Sequence, residues 1–182
     1  KRDSVPDGKE AGRIIEEAKR AGWTIKEIRT GERKRKPPAP FTTSTLQQEA
    51  SRLLNFSTSR TMRIAQQLYE GVEIKGSGQI GIITYLRTDS TRIAGEAEEA
   101  AEAYIGEVFG KEYYTLHQES GGKRARIQDA HEAIRPTDVR RLPGMVKDSL
   151  SRDQLRLYQL IWRRFVASRM SDAVYDTKNV RL

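Results

Sequence analysis

The sequence reads Ile80-Gly81-Ile82-Ile83-Thr84-Tyr85-Leu86-Arg87-Thr88-Asp89-Ser90-Thr91-Arg92 near its middle, where a short apolar run gives way to hydroxyl, acidic and guanidinium side chains. The apolar run is short and rich in isoleucine, so we predict an extended, buried segment. Side chains two positions apart share a face of an extended chain. Tyr85 and Arg87 are therefore predicted to point the same way.

A phenol and a guanidinium on one face form a candidate phosphate site. The guanidinium can bind a phosphate through two hydrogen bonds and offset charge on the attacking oxygen. A phenol needs such help because it is a poor nucleophile on its own. The hydroxyls of Thr88, Ser90 and Thr91 could hold neighbouring phosphates. The alternative is a core tyrosine whose hydroxyl bonds a turn, and the residue pattern alone favours that alternative.

The segment before this stretch contains three prolines in four residues, Pro37-Pro38-Ala39-Pro40, which exclude a helix interior or a central strand. We place a domain boundary there. Ser44 with Gln47 fits a capping box that begins a helix. A second helix, from about residue 59 to 70, has four predicted inward residues: Met62, Ala65, Leu68 and Tyr69. The pair resembles a helix-turn-helix arrangement, although two helices that pack in a core are the more common case.

The outer parts of the chain predict helices and two strands. An amphipathic helix precedes Gly22, with one face formed by Ala11, Ile14, Ile15 and Ala18. Residues 23–28 alternate as a strand. A helix follows from about residue 95 to 109, and a long helix runs from a capping box at Ser151 and Gln154 to about residue 170. The last residues read as a strand that could pair with the first, which would enclose the helical part as an insertion.

The pair His131 and Arg135 lies four positions apart, just before Pro136. In a helix the two side chains would share a face and offer a phosphate one switchable and one permanent positive charge. The alternative is a structural histidine, with Arg135 paired to Glu132.

Composition limits the classes of function. The 182 residues allow one or two small domains, and the absence of cysteine excludes disulfides and thiolate zinc sites within the chain. No run of 18 apolar residues occurs, so we expect no membrane span. The net charge of +8 suits a polyanionic partner. Basic clusters lie at residues 33–36 and 123–126, whereas the glutamate-rich segment 96–107 should face away from phosphates.

Three segments resemble signatures of the type IA DNA topoisomerase family. Ile82-Ile83-Thr84-Tyr85-Leu86-Arg87-Thr88-Asp89-Ser90 resembles its active-site signature, and His131-Glu132-Ala133-Ile134-Arg135-Pro136-Thr137 resembles a second one. Residues 37–50, which read Pro-Pro-Ala-Pro-Phe-Thr-Thr-Ser-Thr-Leu-Gln-Gln-Glu-Ala, resemble a third that is typical of the bacterial topoisomerase I branch. Three long matches in order outweigh the structural alternatives given above.

The resemblance implies a mechanism and roles for these residues. Tyr85 would attack one DNA strand and keep the 5′ phosphate as a phosphotyrosine, without ATP, and the 3′ hydroxyl would later reseal the strand. Negative supercoils would be relaxed one strand at a time. Arg87 would steady the scissile phosphate, and His131 would support the site or bind a nearby phosphate. Thr88, Ser90, Thr91 and Arg135 are the further residues expected to contact DNA.

The resemblance also implies a fold that is mainly α with a few β strands, a helical tyrosine-bearing domain inserted in a partial β-rich hinge domain. Residues 44–171 would form the helical domain, and residues 1–43 with 172–182 part of the hinge domain. Because the first residue is not Met and the last residues read as an interrupted strand, we expect a segment of a longer protein.

The family binds magnesium in an acidic Toprim domain, and no Asp-x-Asp sequence occurs here. We therefore expect Mg²⁺ to be a cofactor of the full enzyme, no metal in this segment, and no relaxation of supercoils by the segment alone. The expected partners are single-stranded and negatively supercoiled DNA and the remaining domains of the enzyme. The expected location is the bacterial cytoplasm, at the nucleoid.

Two rival functions remain open. A non-catalytic DNA-binding module would use the two short helices and the basic clusters, and would form no protein–DNA adduct. Another class of tyrosine transesterase is the second rival. Relaxases need a histidine cluster for their metal, and only His117 and His131 occur here. Type IB enzymes and tyrosine recombinases leave a 3′ phosphotyrosine, so the polarity of the adduct separates them.

Overall fold

A computed structural model describes residues 5–116 and 131–181. Its elements in chain order are α1 (Gly8–Arg20), β1 (Glu27–Arg35), α2 (Thr43–Leu54), α3 (Thr58–Glu70), β2 (Val72–Ile74), β3 (Gly78–Ile80), α4 (Gly95–Val108), a 3₁₀ turn (Lys111–Tyr113), α5 (Arg152–Ser168) and β4 (Ala173–Arg181). The prediction of a mainly α fold with a few strands is confirmed. None of the helices in the described ranges is both long and apolar enough to span a bilayer.

The chain divides into two compact units. One contains residues 1–34 and 174–182, and the other contains residues 35–173. The second unit is therefore an insertion between two stretches of the first. The assignment of these units to a hinge domain and a helical domain of a larger enzyme, with boundaries at residues 43/44 and 171/172, stays a prediction.

In the first unit, β1 pairs with β4. The Lys26 N–H donates to the carbonyl of Arg181 at 2.8 Å, and the Thr177 hydroxyl donates to the carbonyl of Gly31 at 3.0 Å. These contacts run in opposite chain order, so the pair is antiparallel. The predicted pairing of first and last strands is confirmed, but the predicted bounds were wrong. The strand begins at Glu27 and includes most of the basic cluster.

The apolar face predicted for α1 is present but not buried. Ile14 and Ile15 are exposed, as are Trp23 and Ile25 after the helix, and no residue of α1 is buried. The physical reason is the small size of the unit, because one helix and a two-stranded ribbon offer too little surface to enclose a core.

The second unit has a core around α2, α3 and α5. Its largest cluster joins residues of these helices to the extended segment 82–86 and to the segment around Ile134. A smaller cluster packs α4 against Val139 and the end of α5. Trp162 of α5 contacts both clusters. Helix α5 buries Tyr158, Ile161, Phe165 and Val166, whereas Val108 at the end of α4 is exposed.

Helix ends follow ordinary capping chemistry. The predicted capping box at Ser151 and Gln154 is confirmed, with both hydrogen bonds present. The box predicted at Ser44 and Gln47 is wrong, because α2 begins two residues earlier and its box is formed by Thr42 and Thr45. Extended backbone at Thr42, φ −92° and ψ 171°, marks the true start of the helix.

Candidate active site

From Tyr85 to Ser90 the side chains alternate between exposed and buried, and two buried isoleucines, Ile82 and Ile83, precede this stretch. Ile83 and Leu86 are about 1% exposed, whereas Tyr85 is 44% exposed. Arg87 is exposed and Thr88 is buried. In extended backbone this alternation puts Tyr85 and Arg87 on the same, outward side. The core tyrosine considered above is therefore not what the structure contains at this position.

Two other tyrosines of the helical unit, Tyr158 and Tyr114, differ from Tyr85 in their surroundings. The Tyr158 hydroxyl donates to the Arg141 carbonyl at 2.7 Å, and burial raises the Tyr158 pKa. The Tyr114 hydroxyl donates to Glu98 at 3.0 Å, and burial with this bond raises the Tyr114 pKa to about 12. Both phenols are harder to ionise than a free one, which makes them poor nucleophiles.

The first turn of α2 holds the backbone that follows Tyr85. The Thr43 hydroxyl donates to the Leu86 carbonyl at 2.7 Å and accepts from the Thr88 N–H at 2.8 Å. The Thr43 N–H also donates to the Thr88 carbonyl at 2.9 Å. Residues 37–50 therefore contribute a specific set of hydrogen bonds to the loop that carries Tyr85 and Arg87.

The segment 131–137 pairs with the backbone that precedes Tyr85. The Thr84 N–H donates to the Arg135 carbonyl at 2.9 Å, and the Thr84 hydroxyl donates to the Ala133 carbonyl at 2.8 Å. The Ile134 N–H donates in turn to the carbonyl of Phe41, which is fully buried. The three segments singled out in the sequence thus meet at one place.

Residues 131–135 are extended, so the helix considered for His131 and Arg135 does not form. Instead, the backbone pairs as in an antiparallel sheet, Ile134 with Phe41 and Pro136 with Ile83. Arg135 forms a two-pronged ion pair with Glu132, at 2.9 and 3.0 Å, and its side chain is 12% exposed. The ion pair with Glu132 is the alternative that the sequence analysis gave for Arg135. Because the Arg135 guanidinium is already paired, the geometry does not favour the predicted contact between Arg135 and DNA.

His131 is exposed at the start of the same segment. Its carbonyl accepts from the Arg92 Nε at 3.3 Å, and the Arg92 carbonyl accepts from the Ala133 N–H at 2.8 Å. The structure therefore joins the His131 segment to the end of the Tyr85 stretch. The sequence analysis did not predict Arg92 as a site residue, although the stretch contains two arginines, Arg87 and Arg92.

The hydroxyls of Thr88 and Ser90, which follow Arg87, form hydrogen bonds within the loop. Thr88 and Ser90 are each 8% exposed. The Thr88 hydroxyl accepts from the Ser90 N–H at 3.0 Å, and the Ser90 hydroxyl accepts from the Arg92 N–H at 3.2 Å. These local bonds fix the turn. The phosphate contacts predicted for Thr88 and Ser90 are not favoured by this geometry, while Thr91 is half-buried and its contact stays a prediction.

Tyr69, at the end of α3, contacts Tyr85 directly. Their ring centroids are 5.4 Å apart and the ring planes meet at 67°, an edge-to-face arrangement. The sequence predicted Tyr69 to point into the core, and this was wrong, because the side chain is 38% exposed beside Tyr85. The amphipathic pattern of α3 continues into the last turn of the helix. The pattern therefore gave no indication that Tyr69 contacts Tyr85.

Arg87 is exposed on the same side of the loop as Tyr85. Within residues 5–116 and 131–181 it has no hydrogen-bond or ion-pair partner. An exposed guanidinium in this state can bind an anion without breaking an existing pair. The arrangement offers a nucleophilic oxygen and a phosphate ligand on one side of a firmly bonded loop.

The described residues contain no group of three or more His, Asp or Glu side chains that could hold a metal ion. The donors found here therefore do not fit a magnesium site. The basic cluster at residues 123–126 and His117 lie outside the described residues. Helices α2 and α3 both bury their apolar faces in the core, which agrees with the more common explanation of this pair.

Known proteins resemble this chain over its whole length. Residues 1–182 match a family model described as DNA topoisomerase. The structure of full-length topoisomerase I from Thermotoga maritima is 43% identical in sequence, with a TM-score of 0.82, over 99% of this chain. The chain spans 28% of the length of that protein.

Proposed function

The chain belongs to the type IA family of DNA topoisomerases, and we propose that it is the tyrosine-bearing part of an enzyme that cuts and reseals one DNA strand through Tyr85. The observation that carries this proposal is the outward pairing of Tyr85 with Arg87 on a loop bonded to both other signature segments. Cutting by transesterification needs no ATP, since the phosphodiester is exchanged rather than hydrolysed.

In the proposed reaction the Tyr85 phenol oxygen attacks the phosphorus of one phosphodiester. A bond forms between this oxygen and phosphorus, and the bond from phosphorus to the 3′ oxygen breaks. The phenol proton is lost, and the 3′ oxygen leaves as a hydroxyl after taking up a proton. A second strand passes through the gap, and the 3′ hydroxyl then attacks the phosphotyrosine and restores both starting groups. The result is relaxation of negative supercoils one strand at a time.

Arg87 is proposed to bind the non-bridging oxygens of the scissile phosphate and offset the charge that develops on them. Its exposure supports this role, as does the lack of an ion-pair partner among residues 5–116 and 131–181. His131 is proposed to support the site or to bind an adjacent phosphate. Its place on a segment that bonds Thr84 and Arg92 supports this role.

The whole enzyme is proposed to be longer than this chain. The chain spans 28% of the length of the Thermotoga protein, which supports the idea that further domains complete the site. Magnesium is proposed to bind in one of these, the Toprim domain, and it would supply positive charge near the scissile phosphate. Single-stranded and negatively supercoiled DNA are the proposed substrates, which would place the enzyme at the bacterial nucleoid in the cytoplasm.

The test replaces Tyr85 by Phe in the full-length protein that carries this segment. A single-stranded oligonucleotide labelled at its 3′ end is the probe, because a 5′ phosphotyrosine leaves that label on the protein. We expect the wild type to form a labelled adduct and Tyr85→Phe to form none, since the phenyl ring has no nucleophilic oxygen. Tyr113→Phe is the matched control, since Tyr113 is similarly exposed, and it should form the adduct normally.

An adduct that survives in Tyr85→Phe would refute the role of Tyr85. A label retained on the protein from the 5′ end instead would indicate a 3′ phosphotyrosine and the rival class of enzyme. Salt-sensitive DNA binding with no adduct in either protein would indicate a binding module. The 182 residues alone are expected not to relax supercoiled plasmid under conditions in which the full-length protein does.

A further inference from the structure

We propose that Tyr69 is a positioning residue that holds the ring of Tyr85 in the orientation needed for attack. The proposal rests on the function proposed for Tyr85. It starts from the edge-to-face contact of the two rings, with centroids 5.4 Å apart. Among the described residues, no other aromatic ring contacts Tyr85.

The Tyr85 ring needs such a neighbour because it points away from the core. Its backbone is fixed by the buried residues on either side, Ile83 and Leu86. The side chain still has two rotatable bonds, and 44% of it is exposed. An in-line attack tolerates little error in the position of the phenol oxygen, because a displacement of about 1 Å can cost about a hundredfold in rate. A contact that limits ring rotation therefore has a direct effect on reactivity.

The backbone of Tyr69 is tied to the backbone just before Tyr85, so the two rings share one frame. The Ile82 N–H donates to the Leu68 carbonyl at 2.9 Å. The chain also passes so close to α3 at Gly81 that a Cβ there would lie 2.4 Å from the Tyr69 carbonyl oxygen. The end of α3 and the segment that carries Tyr85 cannot move independently while these contacts persist.

The contact is made by the aromatic ring, which decides what the test should find. An edge-to-face pair depends on the quadrupole and shape of the rings, and phenylalanine provides both. Tyr69→Phe should therefore retain positioning, whereas Tyr69→Leu and Tyr69→Met should lose it. Tyr69 is partly exposed at the end of its helix, so an apolar replacement leaves the core intact. The methionine variant, which keeps a long flexible side chain without a ring, serves if the leucine variant does not fold.

The experiment measures single-turnover cleavage of the 3′-labelled oligonucleotide by the full-length protein at saturating DNA. We expect Tyr69→Leu and Tyr69→Met to form the adduct roughly tenfold more slowly than the wild type, and Tyr69→Phe within about twofold of it. DNA affinity is measured separately with Tyr85→Phe as the parent, because that protein binds without cutting. Adding Tyr69→Leu to this parent should leave the dissociation constant within about twofold.

Three results would overturn the proposal. A wild-type cleavage rate in both Tyr69→Leu and Tyr69→Met would show that the ring is not needed. A rate as slow in Tyr69→Phe as in Tyr69→Leu would assign the effect to the hydroxyl. An affinity loss equal to the rate loss would make Tyr69 a DNA contact rather than a positioning residue. Failure of the proposed function itself would appear elsewhere, as an adduct formed by Tyr85→Phe.

Discussion

The hydroxyl of Thr43 donates a hydrogen bond to the main-chain carbonyl of Leu86 at 2.7 Å. The two residues are 43 positions apart in sequence, and Leu86 directly follows Tyr85. The same hydroxyl accepts from the Thr88 N–H, so one side chain bonds the backbone on both sides of Arg87. The start of α2 therefore determines where Tyr85 and Arg87 stand relative to each other.

Thr43→Val removes this hydroxyl with little change in shape. We expect it to lower the free energy of unfolding by about 2 kcal/mol, because backbone groups at Leu86 and Thr88 lose their partner. Cleavage should also slow, since the loop between them becomes looser. Thr43→Ser, which retains the hydroxyl, is the control and should recover most of both losses. Urea unfolding and single-turnover cleavage measure the two effects, and equal stability of the valine and serine variants would contradict the argument.

Arg87→Ala should reduce the rate of adduct formation by about a hundredfold or more, because a charge that stabilises the transition state is lost. Arg87→Lys should recover only part of the rate, since an ammonium group lacks the planar fork that binds two oxygens at once. Single-turnover cleavage at saturating DNA measures both. Arg140→Ala is the control, because Glu107 already engages that guanidinium, and it should cut at the normal rate. Full activity in Arg87→Lys would mean that charge alone suffices.

The features that the sequence predicts well are local and periodic. The long helix α5 with its Ser151 cap follows from amphipathic spacing and capping chemistry. The outward pairing of Tyr85 and Arg87 follows from the period of two along an extended chain. These inferences need no knowledge of what lies across the fold.

The features that the sequence missed depend on partners far away in the chain. Residues 131–135 form no helix because Ile134 pairs with Phe41 and the adjacent Pro136 pairs with Ile83. Nothing in the local sequence indicates this pairing. Thr88 and Ser90 face inward because their hydroxyls bond nearby backbone groups, which the residue types alone do not distinguish from phosphate contacts. Tyr69 was predicted to be a core residue because it lies on the apolar face of its helix. Helical spacing gives no information about the ring of Tyr85, which Tyr69 contacts.

The ion pair between Glu132 and Arg135 supports the His131 segment, and Glu132→Gln should weaken it. The carboxylate accepts both Arg135 bonds and also accepts the Ala94 N–H at 3.4 Å. An amide presents only one oxygen, and its NH₂ group would face a donor. We expect a loss of about 2 kcal/mol in the free energy of unfolding, measured in urea, because bonds to a charged group are lost.

The matched control for this change is Glu107→Gln, which breaks the exposed pair with Arg140. Exposed pairs contribute little, so we expect a loss below about 0.5 kcal/mol. If the two variants lose the same free energy of unfolding, the partial burial of the Glu132 pair has no energetic importance.

Tyr114 should make the fold less stable in strong alkali. Its pKa is raised to about 12 by burial and by the bond to Glu98, whereas an unfolded tyrosine ionises near pH 10, as is typical. Between about pH 10 and 12 the unfolded chain loses this proton and the folded chain keeps it, so stability falls as pH rises. The contribution is complete below about pH 10. Tyr114→Phe should show a shallower decline of the free energy of unfolding in urea over this range than the wild type.

Gly81→Ala tests the close approach to α3 of the extended segment that leads to Tyr85. The added Cβ would lie 2.4 Å from the Tyr69 carbonyl oxygen, and backbone on both sides must move to relieve the clash. We expect a loss of about 3 kcal/mol in the free energy of unfolding and slower cleavage, because the same shift displaces Tyr85. Gly95→Ala is the control, since nothing lies within 4 Å of its Cβ position, and it should stabilise the chain by about 0.5 kcal/mol. Normal stability in Gly81→Ala would mean that α3 and this segment are not held as closely as the structure indicates.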